Sequence, residues 1–273
     1  MNVLDLFSGI GGFSLGLERA GFRTVAFCER EPFCQTVLAR WWPDVPCYGD
    51  VRELTANRLK ADGISVDAIC GGFPCQDISA AGKGAGLEGE RSGLWFEYAR
   101  LISEIRPVFA IIENVPRLRT LGADRVLSDL EELGYTAEPF VVGAVHAGAP
   151  HRRQRAWIVA HANGEQLRKQ PGRSGRPRWP ETSFASEHGA ERSVAYADSQ
   201  PLERPSIARA QCRPWDTEPD VGRVVDGLPA ALVEDELRAL GNAVVPQIPE
   251  LIGRAIMTAL QHSQRMTNAG DAP

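Results

Sequence analysis

Short apolar runs alternate with amphipathic stretches along residues 1–161 of this chain. Each run is five or six residues long and is followed by glycine or polar residues, which is typical of buried strands. After the first run, Phe13, Leu15, Leu17 and Ala20 follow a helical pattern. Strands that alternate with helices predict an α/β fold with a doubly wound, mostly parallel sheet. The predicted strands are 2–7, 24–28, 66–70, 108–112 and 156–160.

The apolar pattern is lost after residue 161 and returns before the carboxyl end. Residues 163–214 are rich in Gly, Pro, Ser and Arg, which predicts a small irregular lobe. A final helix is predicted over 248–260, packed across the first strand–helix unit, and the polar residues 264–273 are expected to fray. We therefore expect one sheet domain from 1–161 plus 237–273, with the lobe over 162–236.

Three consecutive strand ends carry residues suited to a nucleoside-like ligand. The first strand runs into a glycine turn, Ser8 to Gly12, where the backbone can approach a ligand at the start of a helix. The second ends at Glu29, about 20 residues beyond that turn, where ribose-binding carboxylates usually lie. Asp50 follows another strand end. Each signal alone is also typical of a solvated surface, but their succession favours an adenosine-like ligand.

Reactive side chains follow the later strands. Cys75 comes after a proline just beyond a buried strand, and open α/β folds place reactive groups at this edge. It is a candidate nucleophile, although an isolated cysteine is more often buried and inert. Glu113 follows the strand 108–112, where partial desolvation would raise its pKa and suit it to donate a proton. Arg153 and Arg155 alternate ahead of strand 156–160, which predicts that they point the same way.

Together these stretches resemble the DNA cytosine-5 methyltransferases, and they occur in that family's order. They cover most of the chain except roughly 162–236. The resemblance implies a methyltransferase fold for 1–161 plus 237–273 and a target-recognition region over 162–236. The matching stretches are DLFSGIGGFSLGLERAG (5–21), Glu29, Asp50, GGFPCQDIS (71–79), SGLW (92–95), ENV (113–115), RRQR (152–155) and LRALGNAVVPQI (237–248).

The resemblance implies methyl transfer from S-adenosylmethionine to carbon 5 of cytosine in a specific duplex DNA sequence. Cys75 as thiolate would add to carbon 6 of the ring, because the thiolate is the reactive form. Glu113 would bond to ring nitrogen 3 and the exocyclic amine. Arg155, with Arg153 nearby, would hold oxygen 2 of the base or the other two catalytic side chains. The target base would be flipped into the pocket, because the reaction cannot occur in a stacked duplex.

The cofactor-binding residues follow from the same resemblance. Glu29 would take the ribose hydroxyls and Asp50 the adenine amine of S-adenosylmethionine. Arg30 stands where the family often has an apolar or aromatic residue, and cation–π stacking on adenine is expected there. The motif of Arg153 and Arg155 opens with His151 where the family usually has Gln, a change we expect to be tolerated. The other implied cofactor contacts are Phe7, Gly9 and Gly11 in the floor and Pro74, Leu94, Asn242 and Val244 around it.

The net charge of −5 would disfavour DNA binding if it were evenly spread. Residues 151–215, however, hold twelve Lys/Arg and six Asp/Glu, a local charge of +6 that leaves −11 for the remainder. A basic lobe on an acidic body suits a phosphate-facing role, although a solvated loop that is partly disordered without DNA has the same composition. The predicted DNA-contacting residues are Gln76, Ser79, Lys83, Arg173, Arg176 and Arg178.

The six cysteines show no paired metal-binding spacing, so we expect reduced thiols and no metal. No apolar run of membrane-spanning length and no signal peptide is visible, and we expect a cytoplasmic, monomeric protein. The sequence leaves open whether a cognate restriction endonuclease accompanies it.

Three alternatives remain open. One branch of the family methylates transfer RNA with the same motifs, and the short basic lobe does not exclude that substrate. A catalytically silent, sequence-reading module is disfavoured by the intact Cys75, Glu113 and Arg155. A dinucleotide oxidoreductase would explain the glycine turn but not the Pro-Cys, Glu-Asn-Val and Arg-X-Arg motifs.

Overall fold

The computed structural model describes residues 1–74, 93–149, 151–163 and 230–270. In these ranges seven strands form one sheet: β1 (Asn2–Leu6), β2 (Arg23–Cys28), β3 (Cys47–Tyr48), β4 (Ala68–Gly72), β5 (Phe109–Asn114), β6 (Tyr135–Gly143) and β7 (Gln154–Ala162). Their order is β3-β2-β1-β4-β5-β7-β6. Strands β1 to β5 pair in parallel, and β7 runs antiparallel to β5 and β6. The predicted mostly parallel sheet is confirmed.

Helices cover both faces of this sheet. They are α1 (Gly12–Arg19), α2 (Pro32–Trp41), α3 (Ala56–Ala61), α4 (Leu94–Ile105), α5 (Leu118–Leu121), α6 (Ala123–Glu132), α7 (Ala230–Asn242) and α8 (Gln247–Gly270), with a 3-10 helix at Ala144–Ala147. Strand β5 shows why two layers form: Ala110 and Ile112 pack in the cluster with α4 and α6, whereas Phe109 and Ile111 pack in the cluster with α1 and α8.

The carboxyl helix packs across the first strand–helix unit, as predicted. Its Gly253 allows the close approach, because a Cβ there would lie 2.7 Å from the Cβ of Ala20, which directly follows α1. The helix is longer than the predicted 248–260, and it continues to Gly270 through residues expected to fray. Half of the residues in that extension are Gln, Arg, Met or Ala, which favour a helix. Helix α7 begins at Ala230, before residue 237, where the chain was predicted to rejoin the sheet domain.

The sheet order reverses between β1 and β4, since the chain moves outward to β2 and β3 on one side and to β5 on the other. In open α/β sheets, ligands bind in the crevice beyond the carboxyl ends of the strands at such a point. Among the helices in the described ranges, none has the length and apolarity needed to cross a membrane.

Candidate active site

A cavity of about 550 Å³ lies beyond the carboxyl ends of β1, β2, β4 and β5. Its volume is in the range usual for cofactor and small-molecule sites. Nearly all of the predicted site residues in the described ranges line it. They are Phe7, Gly9, Glu29, Arg30, Asp50, Pro74, Leu94, Glu113, Arg155, Asn242 and Val244.

The glycine turn forms one wall of the cavity, but Gly11 is not part of that wall. Phe7, Gly9 and Gly11 all have positive φ, at 54°, 54° and 84°, so the chain turns tightly between β1 and α1. A Cβ on Gly11 would lie 2.6 Å from the ring of Trp42, which shows that this glycine faces the core beside α2. Gly11 itself does not line the cavity, and its part in the cofactor floor stays a prediction. Its lack of a side chain lets α1 start against Trp42.

Glu29 joins two loops at the edge of the cavity. Its Oε2 accepts a hydrogen bond from the Gly9 N–H at 2.7 Å, and its Oε1 accepts one from the Glu31 N–H at 2.8 Å. Because each carboxylate oxygen has two lone pairs, both oxygens can still accept a bond from a ligand hydroxyl. Gln35 fixes the backbone here by donating to the Glu29 carbonyl at 2.6 Å. The carboxylate is thus held in place by backbone donors.

Asp50 lies at the same end of the cavity, and its own loop holds it. The Arg52 N–H donates to Oδ1 at 2.9 Å, while Oδ2 lies 3.9 Å from the Arg52 guanidinium. The carboxylate keeps lone pairs free to accept a bond from an amine. Glu29 and Asp50 therefore both offer acceptors to a ligand that carries hydroxyl and amino groups.

The other end of the cavity contains an ion pair between Glu113 and Arg155. Arg155 Nε lies 2.9 Å from Glu113 Oε1, and the side chains are 23% and 11% exposed. Burial raises the pKa of Glu113 to about 7, although Arg155 and Arg153 favour the ionised form. Near neutral pH this carboxyl can therefore accept or donate a proton.

Gly72, the last residue of β4, leaves room for the Glu113 carboxylate. A Cβ at this position would lie 2.6 Å from Glu113 Oε2. Any side chain here would displace the carboxylate, so the glycine fixes where Oε2 can lie. Gly72 belongs to the GGFPC stretch, but the sequence alone did not indicate this role.

Asn114 ties the ends of β4 and β5 together, a role that sequence reasoning missed. Its Nδ2 donates to the Phe73 carbonyl at 3.1 Å, and its Oδ1 accepts from the Val115 N–H at 2.8 Å. The chain just before Cys75 is thereby fixed next to Glu113. The signal was present in the sequence, because an amide that follows a buried strand end is suited to bond with backbone groups of a neighbouring loop.

Arg153 does not extend alongside Arg155 as the alternation predicted. Strand β7 begins at Gln154, and Arg153 before it has a φ of 24°, so the extended geometry that the prediction assumed is absent. Its guanidinium donates instead to the carbonyls of Gly241 and Ala243. The extended geometry assumed at Arg153 is therefore not formed, although the charge of Arg153 still acts on those of Arg155 and Glu113.

A buried hydrogen bond between Ser14 and Asp5 stabilises the glycine turn. The Ser14 hydroxyl in α1 donates to Oδ2 of Asp5 in β1 at 2.7 Å, and neither side chain is exposed. Burial raises the pKa of Asp5 to about 7, against the opposing effect of the Ser14 hydrogen bond. The pair holds the first turns of α1 against the strand that precedes the cavity wall.

Helix α7 adds three residues to the cavity wall for which the sequence predicted no role, namely Asp235, Arg238 and Ala239. Arg238 Nη2 lies 2.9 Å from Glu31 Oε2 and 2.8 Å from Asp235 Oδ1. This ion pair connects α7 with the loop that carries Glu29. The residues are far apart in sequence, and only the fold brings them together.

Several predicted residues lie outside the described ranges. They are the candidate nucleophile Cys75 and the expected DNA contacts Gln76, Ser79, Lys83, Arg173, Arg176 and Arg178. The described chain ends at Pro74, which lines the cavity, and resumes at Gly93. Among the described residues, no group of three or more His, Cys, Asp or Glu side chains is placed to hold a metal ion.

Comparison with known proteins shows which family the chain resembles. The model of the C-5 cytosine-specific DNA methylase family matches residues 1–211. The chain is 40% identical over 168 residues to the type II methyltransferase M2.BsuMI of Bacillus subtilis (strain 168), which covers 59% of this chain and 42% of the relative. It is 30% identical over 167 residues to the type II methyltransferase M.HhaI of Haemophilus parahaemolyticus, covering 60% and 50% respectively. The chain thus spans about half or less of the length of these relatives.

Solved structures give the same fold. A prophage-encoded protein of E. coli, described as a DNA modification methyltransferase, matches with a TM-score of 0.52 and 29% identity, over 63% of this chain and 49% of that one. A DNMT2 variant of Spodoptera frugiperda matches with a TM-score of 0.51 and 21% identity, over 60% and 50%. At that identity the second match bears on the fold alone.

Proposed function

The chain belongs to the C-5 cytosine-specific DNA methylase family, and we propose that it transfers a methyl group from S-adenosylmethionine to carbon 5 of cytosine in duplex DNA. The observation that carries this proposal is the composition of one cavity. Glu29 and Asp50 line it at one end, and Glu113 and Arg155 at the other. A cofactor and a base could therefore meet inside it.

The cofactor end fits S-adenosylmethionine in its chemistry. Both oxygens of Glu29 keep acceptor capacity for the two ribose hydroxyls, and Asp50 can accept from the adenine amine. Gly9 has no side chain to obstruct the approach to the methionine part, and a Cβ there would meet open space. Arg30 lines the same cavity, where its guanidinium can stack on adenine. When bound, the cofactor supplies a methyl group on a sulfonium, which is an electrophile.

The base end supplies the groups that cytosine needs. Carbon 5 is not nucleophilic until a group adds to carbon 6, and the Cys75 thiolate is proposed to make that bond. Glu113 then stabilises the ring at nitrogen 3 and the exocyclic amine, for which its pKa of about 7 is well suited. Arg155 holds Glu113 in place and can also donate a hydrogen bond to oxygen 2 of the cytosine. After carbon 5 is methylated it loses its proton, and the Cys75–carbon 6 bond breaks to release the product.

The proposal also implies partners. The target base must leave the duplex to reach the cavity, so base flipping forms part of it. The basic stretch 162–215 is proposed to contact the phosphates and to recognise the target sequence. Because the proposed substrate is DNA inside a cell, the cytoplasmic location expected from the sequence is part of the proposal. Because the relatives are named type II methyltransferases, we propose that this chain acts in a restriction–modification system.

The test is methyl transfer by the purified protein from radiolabelled S-adenosylmethionine to unmethylated duplex DNA, with transfer RNA as the competing substrate. We expect label in DNA, and bisulfite sequencing should locate it at cytosine within one short sequence. Cys75→Ala should abolish transfer and the covalent complex with 5-fluorocytosine DNA, because fluorine blocks the release of the enzyme. Label in transfer RNA alone would favour the RNA-directed alternative. Normal turnover by Cys75→Ala would exclude the assigned nucleophile.

A further inference from the structure

In the described part of the chain, Arg153 holds the junction between α7 and α8, residues 241–246, from the side of β7. Nη2 of Arg153 lies 2.8 Å from the carbonyl oxygen of Gly241 and 2.5 Å from that of Ala243. These carbonyls stand at the carboxyl end of α7, where backbone acceptors lack partners within the helix and the helix dipole favours a cation. The arginine therefore satisfies acceptors that the helix itself leaves open.

The opposite side of the same junction is closed by α1. A Cβ on Gly12 would lie 2.5 Å from the Val244 carbonyl oxygen, and a Cβ on Gly16 would overlap the Pro246 carbonyl. The junction is thus fixed between the amino-terminal helix and Arg153. Two of its residues, Asn242 and Val244, line the cavity.

The backbone of Arg153 supports a specific positioning role. Its φ of 24° lies in the left-handed region, which is unfavourable for a residue with a side chain. Such a conformation persists where surrounding contacts determine it. Here the two carbonyl contacts require the side chain of Arg153 to turn towards the end of α7, while Arg155, in β7, reaches across to Glu113 in β5.

We infer that Arg153 is a positioning residue that clamps the junction 241–246 and so fixes the wall of the cofactor end, rather than a residue that touches the base. The inference rests on the proposed function for the identity of the ligand. One arginine of the pair then organises the cofactor wall and the other holds Glu113. Because they are two residues apart, a single short segment aligns both ends of the cavity.

The test compares Arg153→Met, which keeps the length of the side chain and removes its donors, with Arg153→Lys, which keeps one cationic nitrogen. Arg152→Met is the matched control, because it makes the same change at the exposed neighbouring residue. In the cofactor-free protein we expect amide hydrogen exchange over 242–245 to accelerate by about ten-fold or more in Arg153→Met, since hydrogen bonds from a charged donor are lost. Arg153→Lys should recover part of this protection, and Arg152→Met should match the wild type.

The second measurement is S-adenosylmethionine binding by calorimetry, together with steady-state methyl transfer. In Arg153→Met the dissociation constant should rise by about ten-fold, and KM for the cofactor should change more than kcat. Unchanged hydrogen exchange over 242–245 in Arg153→Met would contradict the positioning role. Unchanged cofactor affinity combined with slow methyl transfer would also contradict it, and would instead assign Arg153 to the base. If the wild type failed to bind S-adenosylmethionine, the proposed function would fail, while the exchange measurement would still decide the clamp.

Discussion

Arg155 and Glu113 form an ion pair across neighbouring antiparallel strands, with Nε of the arginine 2.9 Å from Oε1 of the glutamate. The pair occupies one oxygen of the carboxylate and leaves Oε2 next to Gly72. Glu113 is therefore held in one orientation before any base arrives. An enzyme that stabilises charge as it develops on a ring benefits from groups that need no reorganisation.

The pH dependence of methyl transfer should reveal the titration of Glu113. Burial raises its pKa to about 7, so the protonated form that can donate to ring nitrogen 3 is lost as the pH rises through that value. We expect kcat/KM for DNA to fall on the alkaline side of neutrality, and Glu113→Gln, though slower, to lack this limb. The measurement is a pH profile of both proteins, because kcat/KM reports groups of the free enzyme. An identical alkaline limb in the Gln variant would assign it to another group.

Gly72→Ala should slow the chemistry while preserving the fold. Its Cβ would lie 2.6 Å from Glu113 Oε2 and would push the carboxylate out of position. A displacement of about 1 Å at a reacting group can lower the rate by about 100-fold. Calorimetry should show nearly unchanged cofactor binding.

Gly71→Ala provides the contrasting variant for that experiment. Its Cβ would overlap the backbone carbonyl of Leu6 in β1, which cannot move without distorting the sheet. We expect a clear drop in the thermal unfolding midpoint for Gly71→Ala and a much smaller one for Gly72→Ala. Equal losses of stability in both variants would contradict the assigned role of Gly72.

Glu29→Ala should weaken S-adenosylmethionine binding. The change leaves the Gly9 and Glu31 N–H groups without their acceptor and removes the acceptors for the ribose, at a cost of about 1–3 kcal/mol. Glu53→Ala, which removes an exposed carboxylate outside the cavity wall, is the control and should bind normally. Glu113→Gln should also keep cofactor affinity. If calorimetry found the same loss for Glu29→Ala and Glu113→Gln, the division of the cavity into two ends would be wrong.

Asp5→Asn should alter how stability depends on pH. Burial raises the pKa of Asp5 from the ordinary 3.8 to about 7 in the folded protein. Between these values the folded state holds a proton that the unfolded state releases, so the wild type loses stability as the pH rises through this window. Asparagine does not titrate and can still accept from Ser14. The stability of the variant relative to wild type should therefore improve by about 1 kcal/mol per pH unit within the window.

Urea unfolding at pH 5 and pH 8 checks this expectation. Glu113 titrates over the same window in both proteins, so the difference between the two curves isolates Asp5. A difference that stays constant between the two pH values would mean that Asp5 does not carry the proton.

The sequence was sufficient for the fold class and for choosing residues most of which line one cavity in the described part of the chain. Strand and helix periodicity predicted the parallel sheet, because burial on both faces requires continuous apolar runs. Glu29, Asp50 and Glu113 could be identified because each follows a predicted strand end, and parallel strands bring their carboxyl ends to one edge. These inferences need only local pattern and the general geometry of sheets.

Contacts that depend on the tertiary structure could not be read in this way. Gly11 faces Trp42 rather than the cavity, and Arg153 turns to the α7–α8 junction rather than along its strand. Arg238 and Glu31 meet although 207 positions separate them. Periodicity tells which face of an element is apolar, but the direction of a side chain also depends on local φ and on what distant segments pack against it. For Arg153, that partner is a pair of carbonyls at the end of a helix that the chain forms only after residue 229.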